Sequence, residues 1–359
     1  MRNIPIASPI VGWREIYSVS KVLRSRSLAQ GPRVLEFENN FSRLVGDREC
    51  VAVNSGTSAL HVALLSLGIG KGDEVIVPSF TFAATANSVA LTGAKPVFVD
   101  IDPKTYNIDP SKIESAVSKK TRAIMVVHLY GLPADMKLIK KIALRRNLLL
   151  IEDAAQAHMA EINGEKVGTF GDAAAFSFYP TKNMTSGEGG MVVLKEVDTA
   201  KQARLLRNQG MAVRYQNEIV GFNLRMTDIH AAIGIEQLKK LRKWTEKRQL
   251  NAYQLNSEIT EVNTPFVPNG FSHVYHQYTV RIESKRDKFS ELLTSMGIGN
   301  SVYYPTEVHN LPSFKSDLRL DETHKATQQV LSLPIHPRLS KSDLGRIASQ
   351  VNKIGSEIG

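Results

Sequence analysis

The sequence predicts an α/β protein with a large domain, in which a mostly parallel sheet lies between helices, and a smaller C-terminal α+β domain. Short apolar runs alternate with longer helical patterns through the first half of the chain, and this alternation is typical of parallel sheets. A long helical pattern then begins near Thr227 and continues past Trp244. We therefore expect a large domain over residues 1–245 and a small domain over residues 246–359.

The elements of the large domain follow in order. Two N-terminal helices are expected, one over residues 13–27 and one that includes Val34 and Phe41. Strands are then predicted over residues 50–53, 74–77, 96–101, 122–128, 148–151, 173–178 and 190–194. Helices are predicted from Thr57, over 81–91, after the N-cap Asp109, and over 135–146 and 198–207. Ligands of such sheets bind at the carboxyl ends of the strands.

The small domain mixes both kinds of element. We expect strands over residues 273–282 and 300–304, a helix over 286–295 and a terminal helix from Ser340. The composition, with 42% apolar and 22% charged residues, is that of an ordinary globular protein. No apolar run is long enough to span a bilayer and no signal peptide is visible, so no membrane partner is expected. A single cysteine fits a reducing compartment, and we predict a cytoplasmic location.

The net charge of +10 leaves three interpretations open. The basic residues are spread over helical faces such as Lys239–Arg248, which favours a solvated helix surface. A local positive field for an anionic small molecule is a second possibility. Nucleic-acid binding is the third, but neither a helix-turn-helix nor an alternation of aromatic and basic residues supports it. We therefore expect no nucleic-acid partner.

An aspartate and a lysine follow two of the predicted strands. Asp153 comes after the apolar run Leu148–Ile151, and Lys182 follows the aromatic turn Phe176–Pro180. Most of the 45 basic residues must lie in solvent, and aspartate often ends strands. Together, however, the two residues are the pair that pyridoxal phosphate needs, because lysine forms the Schiff base and aspartate keeps the pyridine nitrogen protonated. Partial burial would also lower the pKa of Lys182.

Further residues at strand ends fit such a cofactor. The strand, glycine turn and helix around Gly56, Thr57 and Ser58 present backbone N–H groups to an anion, although a plain capped helix has the same pattern. Phe82 is either an ordinary core residue or an aromatic side chain that stacks on a pyridine ring. Ser177 is either a phosphate contact or a neutral strand residue. No histidine spacing indicates a metal, and no hydrolase elbow or Walker loop is present.

These stretches resemble the DegT/StrS family of nucleotide-sugar aminotransferases, whose members have the aspartate-aminotransferase-like fold (PLP fold type I). The resemblance covers nearly the whole chain. The matching stretches are Gln30–Pro32 with Phe37–Glu38, Asn54–Leu60, Pro78–Phe82 with Ala84–Thr85, Glu152–His158, Ser177–Lys182, Gly187–Gly190, Gly221–Met226, Gln277–Val280 and Val302–Pro305. Several ordered motifs at family-like separations are much more specific than any single one.

The resemblance implies a role for each cofactor contact. Lys182 would form the Schiff base, and Asp153 would pair with the ring nitrogen. Gln156 would face the ring hydroxyl, and Phe82 would stack on the ring. The phosphate would be held by Gly56, Thr57 and Ser177. The cofactor would alternate between pyridoxal phosphate and pyridoxamine phosphate, while L-glutamate donates the amino group and a nucleotide-linked keto-sugar accepts it.

The resemblance also implies a homodimer with shared active sites, because Asn223 looks like the residue that family members lend to the partner's phosphate site. Arg225, Tyr303 and Tyr304 look like nucleotide or sugar contacts. Met159 departs from the family, where glycine is usual. Other readings stay open: a keto-sugar dehydratase, an amino-acid lyase, or a non-catalytic regulator with the same fold. The sequence selects neither the sugar nor the residue that binds the donor carboxylate.

Overall fold

A computed structural model describes residues 3–358. The helices in this range are α1 (Trp13–Ser25), α2 (Pro32–Leu44), α3 (Gly56–Ser66), α4 (Ala84–Leu91), α5 (Pro110–Ala116), α6 (Met136–Arg146), α7 (Val197–Arg207), α8 (Asp228–Glu258), α9 (Arg286–Ser295), α10 (Asp321–Gln329) and α11 (Lys341–Ile358). The strands are β1 (Glu49–Val53), β2 (Glu74–Pro78), β3 (Lys95–Val99), β4 (Thr121–Val127), β5 (Leu149–Asp153), β6 (Glu161–Ile162), β7 (Glu165–Lys166), β8 (Ala173–Ser177), β9 (Gly190–Leu194), β10 (Met211–Val213), β11 (Gln216–Asn217), β12 (Phe271–Ser272), β13 (Tyr278–Arg281) and β14 (Val330–Leu333).

The central sheet has seven strands in the order β1-β9-β8-β5-β4-β2-β3. Strands β8, β5, β4, β2 and β3 pair in parallel, and β9 is antiparallel to both of its neighbours. Strand β1 therefore points the same way as the parallel strands, and their carboxyl ends meet at one edge. The prediction of a mostly parallel sheet between helices is confirmed.

The sheet is buried on both faces, which explains its almost continuous apolar strands. Successive side chains of β9 alternate between two cores: Val192 contacts one and Val193 the other. Helices α3 and α7 cover the first face. Helices α2 and α8 cover the second, where Gly234 of α8 leaves room for Phe37; a Cβ there would lie 2.8 Å from the Phe37 ring.

Helix α8 is one continuous element of 31 residues. Its first half packs on the large-domain core through residues such as Ile235, and its second half, from Ala252, enters the core of the C-terminal unit. The boundary predicted near residue 245 falls inside this helix and stays a prediction. Arg248 corrects the interpretation of the basic run as a solvated face, since it is buried against the backbone of Tyr275.

Two small-domain strands are shorter than predicted. The strand expected over residues 273–282 begins only at Tyr278, because the N–H groups of Val274 and Gln277 bond to a loop of the large unit instead. The strand expected over 300–304 is a single bridge at Ser301. The predicted helices α6, α9 and α11 are confirmed within one residue at each predicted end. Across residues 3–358, no helix combines the length and apolar character that a bilayer crossing requires.

Candidate active site

Most of the predicted site residues lie at the carboxyl edge of the sheet. Gly56 opens α3 just after β1, Phe82 follows β2, Asp153 is the last residue of β5, and Lys182 follows β8. These strands run in the same direction, so their ends converge. The fold therefore gathers side chains from four separate stretches at one edge of the sheet.

Asp153 is a buried carboxylate, only 5% exposed. Its Oδ2 accepts a hydrogen bond of 2.8 Å from Thr85 Oγ1, and its Oδ1 accepts one of 3.2 Å from the N–H of Ala155. Burial raises its pKa, while these hydrogen bonds and the more distant Lys182 oppose the rise. Because no cation of residues 3–358 forms an ion pair with it, this carboxylate is suited to an incoming positive group.

Lys182 lies in the turn after β8, where its N–H donates to the Tyr179 carbonyl at 2.9 Å. The side chain is half-buried. Burial lowers the pKa of its ammonium to about 8, and attraction to Asp153 partly opposes that shift. A substantial fraction of neutral amine is therefore present near neutral pH, and the neutral amine is the nucleophilic form.

The turn at Gly56 and Thr57 is a candidate anion cradle. The first N–H groups of a helix have no intrahelical acceptor, and at α3 they face the end of β8. A Cβ on Gly56 would lie 2.7 Å from the Cβ of Ser177, so glycine allows Ser177 to approach. Ser58 is engaged otherwise: its N–H donates to Ser55 Oγ, and its hydroxyl donates to the Asn54 side chain. Ser58 thus serves as part of the helix cap.

Phe82, Gln156 and Tyr304 form one wall of the site. Phe82 is 59% exposed, and its ring centroid lies 6.0 Å from that of Tyr304. Gln156 Nε2 donates to the Tyr304 hydroxyl at 3.0 Å, and its Oε1 accepts from the N–H of Tyr130. Burial raises the pKa of Tyr304, so the phenol stays protonated at neutral pH. One Gln156 N–H and the Tyr304 O–H remain as donors.

The remaining predicted residues lie beside this wall or beside the cradle. Tyr303 contributes its carbonyl to the Tyr130 hydroxyl. Arg225 Nη1 donates to the Asn208 side chain at 3.0 Å, and the Asn54 N–H donates to the carbonyl of the residue before Arg225. Asn223 is exposed. Of the predicted substrate contacts, Tyr304 therefore lies against the cofactor residues Phe82 and Gln156, whereas Arg225 bonds to Asn208.

Thr85 and Glu152 were not predicted as site residues. Glu152, the residue before Asp153 in β5, is fully buried and accepts hydrogen bonds from His128 Nε2 and from the N–H groups of residues 168, 170 and 171. These bonds keep its pKa low even though burial alone raises it. Only its place next to Asp153 in a buried strand could have indicated this role.

The arrangement fits a pyridine cofactor that carries an aldehyde and a phosphate. Asp153 can receive the protonated ring nitrogen and Lys182 the aldehyde. Phe82 exposes a ring face for stacking, and the Gly56–Thr57 turn can receive the phosphate. A search of residues 3–358 finds no group of three or more potential metal ligands.

Comparison with known proteins supports this interpretation. Residues 10–352 match the model of the DegT/DnrJ/EryC1/StrS aminotransferase family. The chain is 41% identical to a pleiotropic regulatory protein of Geobacillus stearothermophilus over 93% of this chain and 92% of the relative. It is also 41% identical to GDP-perosamine synthase of Caulobacter vibrioides over 98% of each chain.

Solved structures agree with the sequence relatives. DesV of S. venezuelae, in complex with a ketimine intermediate, superposes with a TM-score of 0.96 at 35% identity over the whole of both chains. NtdA of Bacillus subtilis, with bound cofactor PMP, superposes with a TM-score of 0.91 at 30% identity over 99% of this chain and 86% of the other. The chain belongs to the DegT/DnrJ/EryC1/StrS aminotransferase family and is a pyridoxal phosphate-dependent sugar aminotransferase.

Proposed function

We propose that this protein transfers an amino group from L-glutamate to the keto group of a nucleotide-linked sugar, and so makes an amino sugar for a polysaccharide, glycan or secondary metabolite. The observation that carries the proposal is the pair formed by a buried, unpaired carboxylate, Asp153, and a half-buried lysine of lowered pKa, Lys182. When bound, the cofactor accepts electrons from the donor's α-carbon and carries the amino group between the two substrates.

Asp153 and Lys182 have complementary roles. Asp153 holds its negative charge against the ring nitrogen, and Thr85 fixes the orientation of the carboxylate. Once released by the donor, Lys182 is a free amine whose pKa is lowered by burial to about 8. It would take a proton from the donor's α-carbon and deliver it to the cofactor's aldehyde carbon, which is general acid–base catalysis by a group matched to the working pH.

The other residues bind and orient. Phe82 covers one ring face and excludes water from it. Gln156 directs its remaining N–H to the ring hydroxyl, and Ser177 adds a hydroxyl to the phosphate cradle. Arg225, Tyr303 and Tyr304 contact the nucleotide or the sugar.

A homodimer completes each site in this proposal, with Asn223 reaching the partner's phosphate cradle. Asn223 is exposed at the end of a segment that also exposes Val213, Tyr215 and Val220, the last by 91%. Apolar side chains this exposed mark interaction surfaces. Helix α1 exposes Trp13, Ile16, Tyr17 and Leu23 as well. We place the enzyme in the cytoplasm, with which its single, buried Cys50 is compatible.

Three alternatives share the fold, and an amino-acid lyase is disfavoured by the resemblance of the stretch around Asn223 and Arg225 to sugar aminotransferases. A keto-sugar dehydratase is disfavoured by Lys182, because the resemblance links dehydration to its replacement by histidine. A regulator that retains the fold is favoured only by the name of one relative. An enzyme of this family and a non-catalytic regulator differ in cofactor chemistry. A regulator that forms no Schiff base with the cofactor lacks the visible absorption band of that Schiff base.

Absorption spectroscopy on the holoenzyme tests the proposal. L-Glutamate should remove the visible band of the bound cofactor, and a panel of nucleotide keto-sugars should contain one that restores it. In Lys182→Ala, the rate of this cycle should fall at least a thousandfold, which corresponds to an activation free energy higher by roughly 4 kcal/mol. Full turnover by Lys182→Ala, or a wild-type protein without a visible band, would rule the proposal out.

Mixing two inactive variants tests the shared site. Lys182→Ala and Asn223→Ala homodimers each lack one contribution. In an equal mixture half of all dimers contain one subunit of each kind, and each of these mixed dimers has one whole site out of two. Activity should therefore return to roughly a quarter of the wild-type value. If the mixture stays as inactive as its components while mass measurements show mixed dimers, Asn223 does not act across the interface.

A further inference from the structure

A small cavity lies beside Lys182, between the lysine turn, the N-terminal segment of residues 6–10, helix α8 and the C-terminal unit. Its volume is about 30 Å³, which accommodates about two or three water-sized groups. A nucleotide sugar cannot enter such a space, but the two oxygens of a carboxylate can. The cavity is therefore the size of one small polar group next to the catalytic amine.

The lining of this cavity is positively charged. Lys182 and Arg248 contribute cations, His276 and His336 contribute imidazoles, and no aspartate or glutamate in the described range 3–358 lines it. Burial lowers the pKa of His276 well below its ordinary value, so this imidazole is neutral near pH 7. A site with two cations and no anion is electrostatically incomplete, and a bound anion would complete it.

Arg248 is the most informative residue of the lining. It is only 6% exposed, and within residues 3–358 its guanidinium makes one hydrogen bond, from Nη1 to the Tyr275 carbonyl at 2.9 Å. Its Nε is buried without a partner, and no carboxylate of residues 3–358 forms an ion pair with it. The Nδ1 atom of His276 is also buried without a partner. A buried guanidinium has five N–H donors, and leaving most of them unpaired is costly.

We propose that Arg248, with His276, binds the α-carboxylate of the amino donor in this cavity. The inference rests on the proposed function, because it assumes an amino-acid donor. Lys182 must reach the donor's α-carbon to move its proton, and the α-carboxylate is bonded directly to that carbon. A carboxylate site must therefore lie next to Lys182, and the guanidinium fork suits a carboxylate in two-point contact.

The experiment compares L-glutamate with 4-aminobutyrate, which is L-glutamate without its α-carboxylate. For Arg248→Gln holoenzyme, the rate at which L-glutamate removes the visible band should fall tenfold to a hundredfold, roughly the loss expected for a charged hydrogen bond. The much slower reaction of 4-aminobutyrate should change by less than twofold. Arg242→Gln removes an exposed arginine from the same helix and should alter neither rate.

A binding measurement gives a readout without turnover. 2-Methyl-L-glutamate lacks the α-hydrogen and cannot be transaminated, so titration calorimetry reports its affinity alone. Arg248→Gln should weaken this affinity tenfold to a hundredfold and leave that for 4-aminobutyrate unchanged. Equal losses for both ligands would show that Arg248 only supports the Tyr275 backbone, and an unchanged affinity for 2-methyl-L-glutamate would equally overturn the inference.

Two further arms keep the outcomes separate. If Arg248→Gln does not retain cofactor, Arg248→Lys replaces it, because lysine keeps the positive charge but lacks the two-point donor geometry of arginine. The affinity of this variant for 2-methyl-L-glutamate should fall about tenfold, and its affinity for 4-aminobutyrate should not change. If L-glutamate leaves the wild-type band intact while another amino acid removes it, the donor in the proposed function is wrong. The comparison then runs with that amino acid and its decarboxylated amine. If L-glutamate removes the wild-type band but the Arg248 variants do not distinguish L-glutamate from 4-aminobutyrate, the proposed function stands and this inference is wrong.

Discussion

The hydroxyl of Thr85 donates a 2.8 Å hydrogen bond to Oδ2 of Asp153, although the two residues lie 68 positions apart in the chain. Thr85 lies in the first turn of α4 and also contacts the Thr81 hydroxyl at 3.0 Å. The bond orients a carboxylate whose own strand supplies no side-chain partner for it. Cofactor affinity should therefore depend on a residue that need not touch the cofactor.

Thr85→Val removes this bond while keeping the side-chain shape. We expect the cofactor to bind roughly tenfold more weakly, since one hydrogen bond to a charged group contributes about 1.5 kcal/mol or more. Titration of the apoprotein followed by visible absorption measures the affinity. Ser88→Ala removes another buried hydroxyl of α4, which bonds to the Thr85 carbonyl and not to Asp153. Equal affinities for the two variants would contradict the orienting role.

The lowered pKa of Lys182 predicts how the stability of the cofactor-free protein depends on pH. In the folded chain the pKa is about 8, against an ordinary 10.5, so below pH 8 the folded state bears the cost of a buried charge. That cost decreases as pH rises from about 8 to 10.5, because only the unfolded state then binds the proton. Lys182→Met should therefore be more stable than wild type at pH 7, by at most about 3 kcal/mol.

Urea unfolding of both apoproteins at pH 7 and pH 10 checks this prediction. The difference between variant and wild type should shrink at the higher pH. A difference that is the same at both values would show that the pKa of Lys182 is not lowered in the folded chain.

Glu152, the residue before Asp153 in β5, is bonded to His128 and to the 168–171 loop. Glu152→Gln replaces an acceptor with an amide whose N–H would face the backbone N–H groups of the 168–171 loop, so we expect a loss of about 3 kcal/mol at pH 7. The carboxylate's pKa is lowered in the folded state, and its contribution is therefore present above about pH 4.5 and decreases as pH falls further. Chemical unfolding at pH 7 and pH 4 measures both values. A penalty that does not shrink at pH 4 would contradict this assignment.

Met159 occupies a backbone conformation that favours glycine, with φ at 68°. Met159→Gly and Met159→Ala both remove the side chain, so their difference isolates the backbone. The glycine variant should be the more stable by about 1 kcal/mol. Thermal unfolding of the two proteins gives the answer, and an alanine variant of equal or greater stability would show that this conformation carries no strain.

The parts of the site that were predictable are those that local patterns determine. Asp153 and Lys182 follow apolar runs whose ends are visible in the sequence, and a parallel sheet brings such ends together whatever the loops do. Arg248 was not predictable, because it belongs to a basic run that looks like a solvated helix. Its burial depends on Tyr275, 27 positions away, which is a contact between the second half of α8 and the C-terminal unit.

Thr85 was missed for a similar reason. A threonine near the start of a helix is common, and only the order of strands in the sheet places α4 beside Asp153. The strand expected over residues 273–282 lacks its part before Tyr278 because the N–H groups of Val274 and Gln277 bond to carbonyls of the Tyr130 loop. In each case the deciding partner is distant in sequence, so propensity and periodicity contain no information about it.

Helix α8 runs for about 46 Å without interruption, and buried residues occur along most of its length. The large unit and the C-terminal unit are therefore connected by one continuous helix and not by an exposed linker. A fragment cut near residue 245 would leave Ile235 on one piece and Leu255 on the other, each without the rest of the helix that positions it. Limited proteolysis should accordingly not cleave this connection. A fragment made to express the C-terminal unit should begin at residue 227, so that helix α8 stays whole.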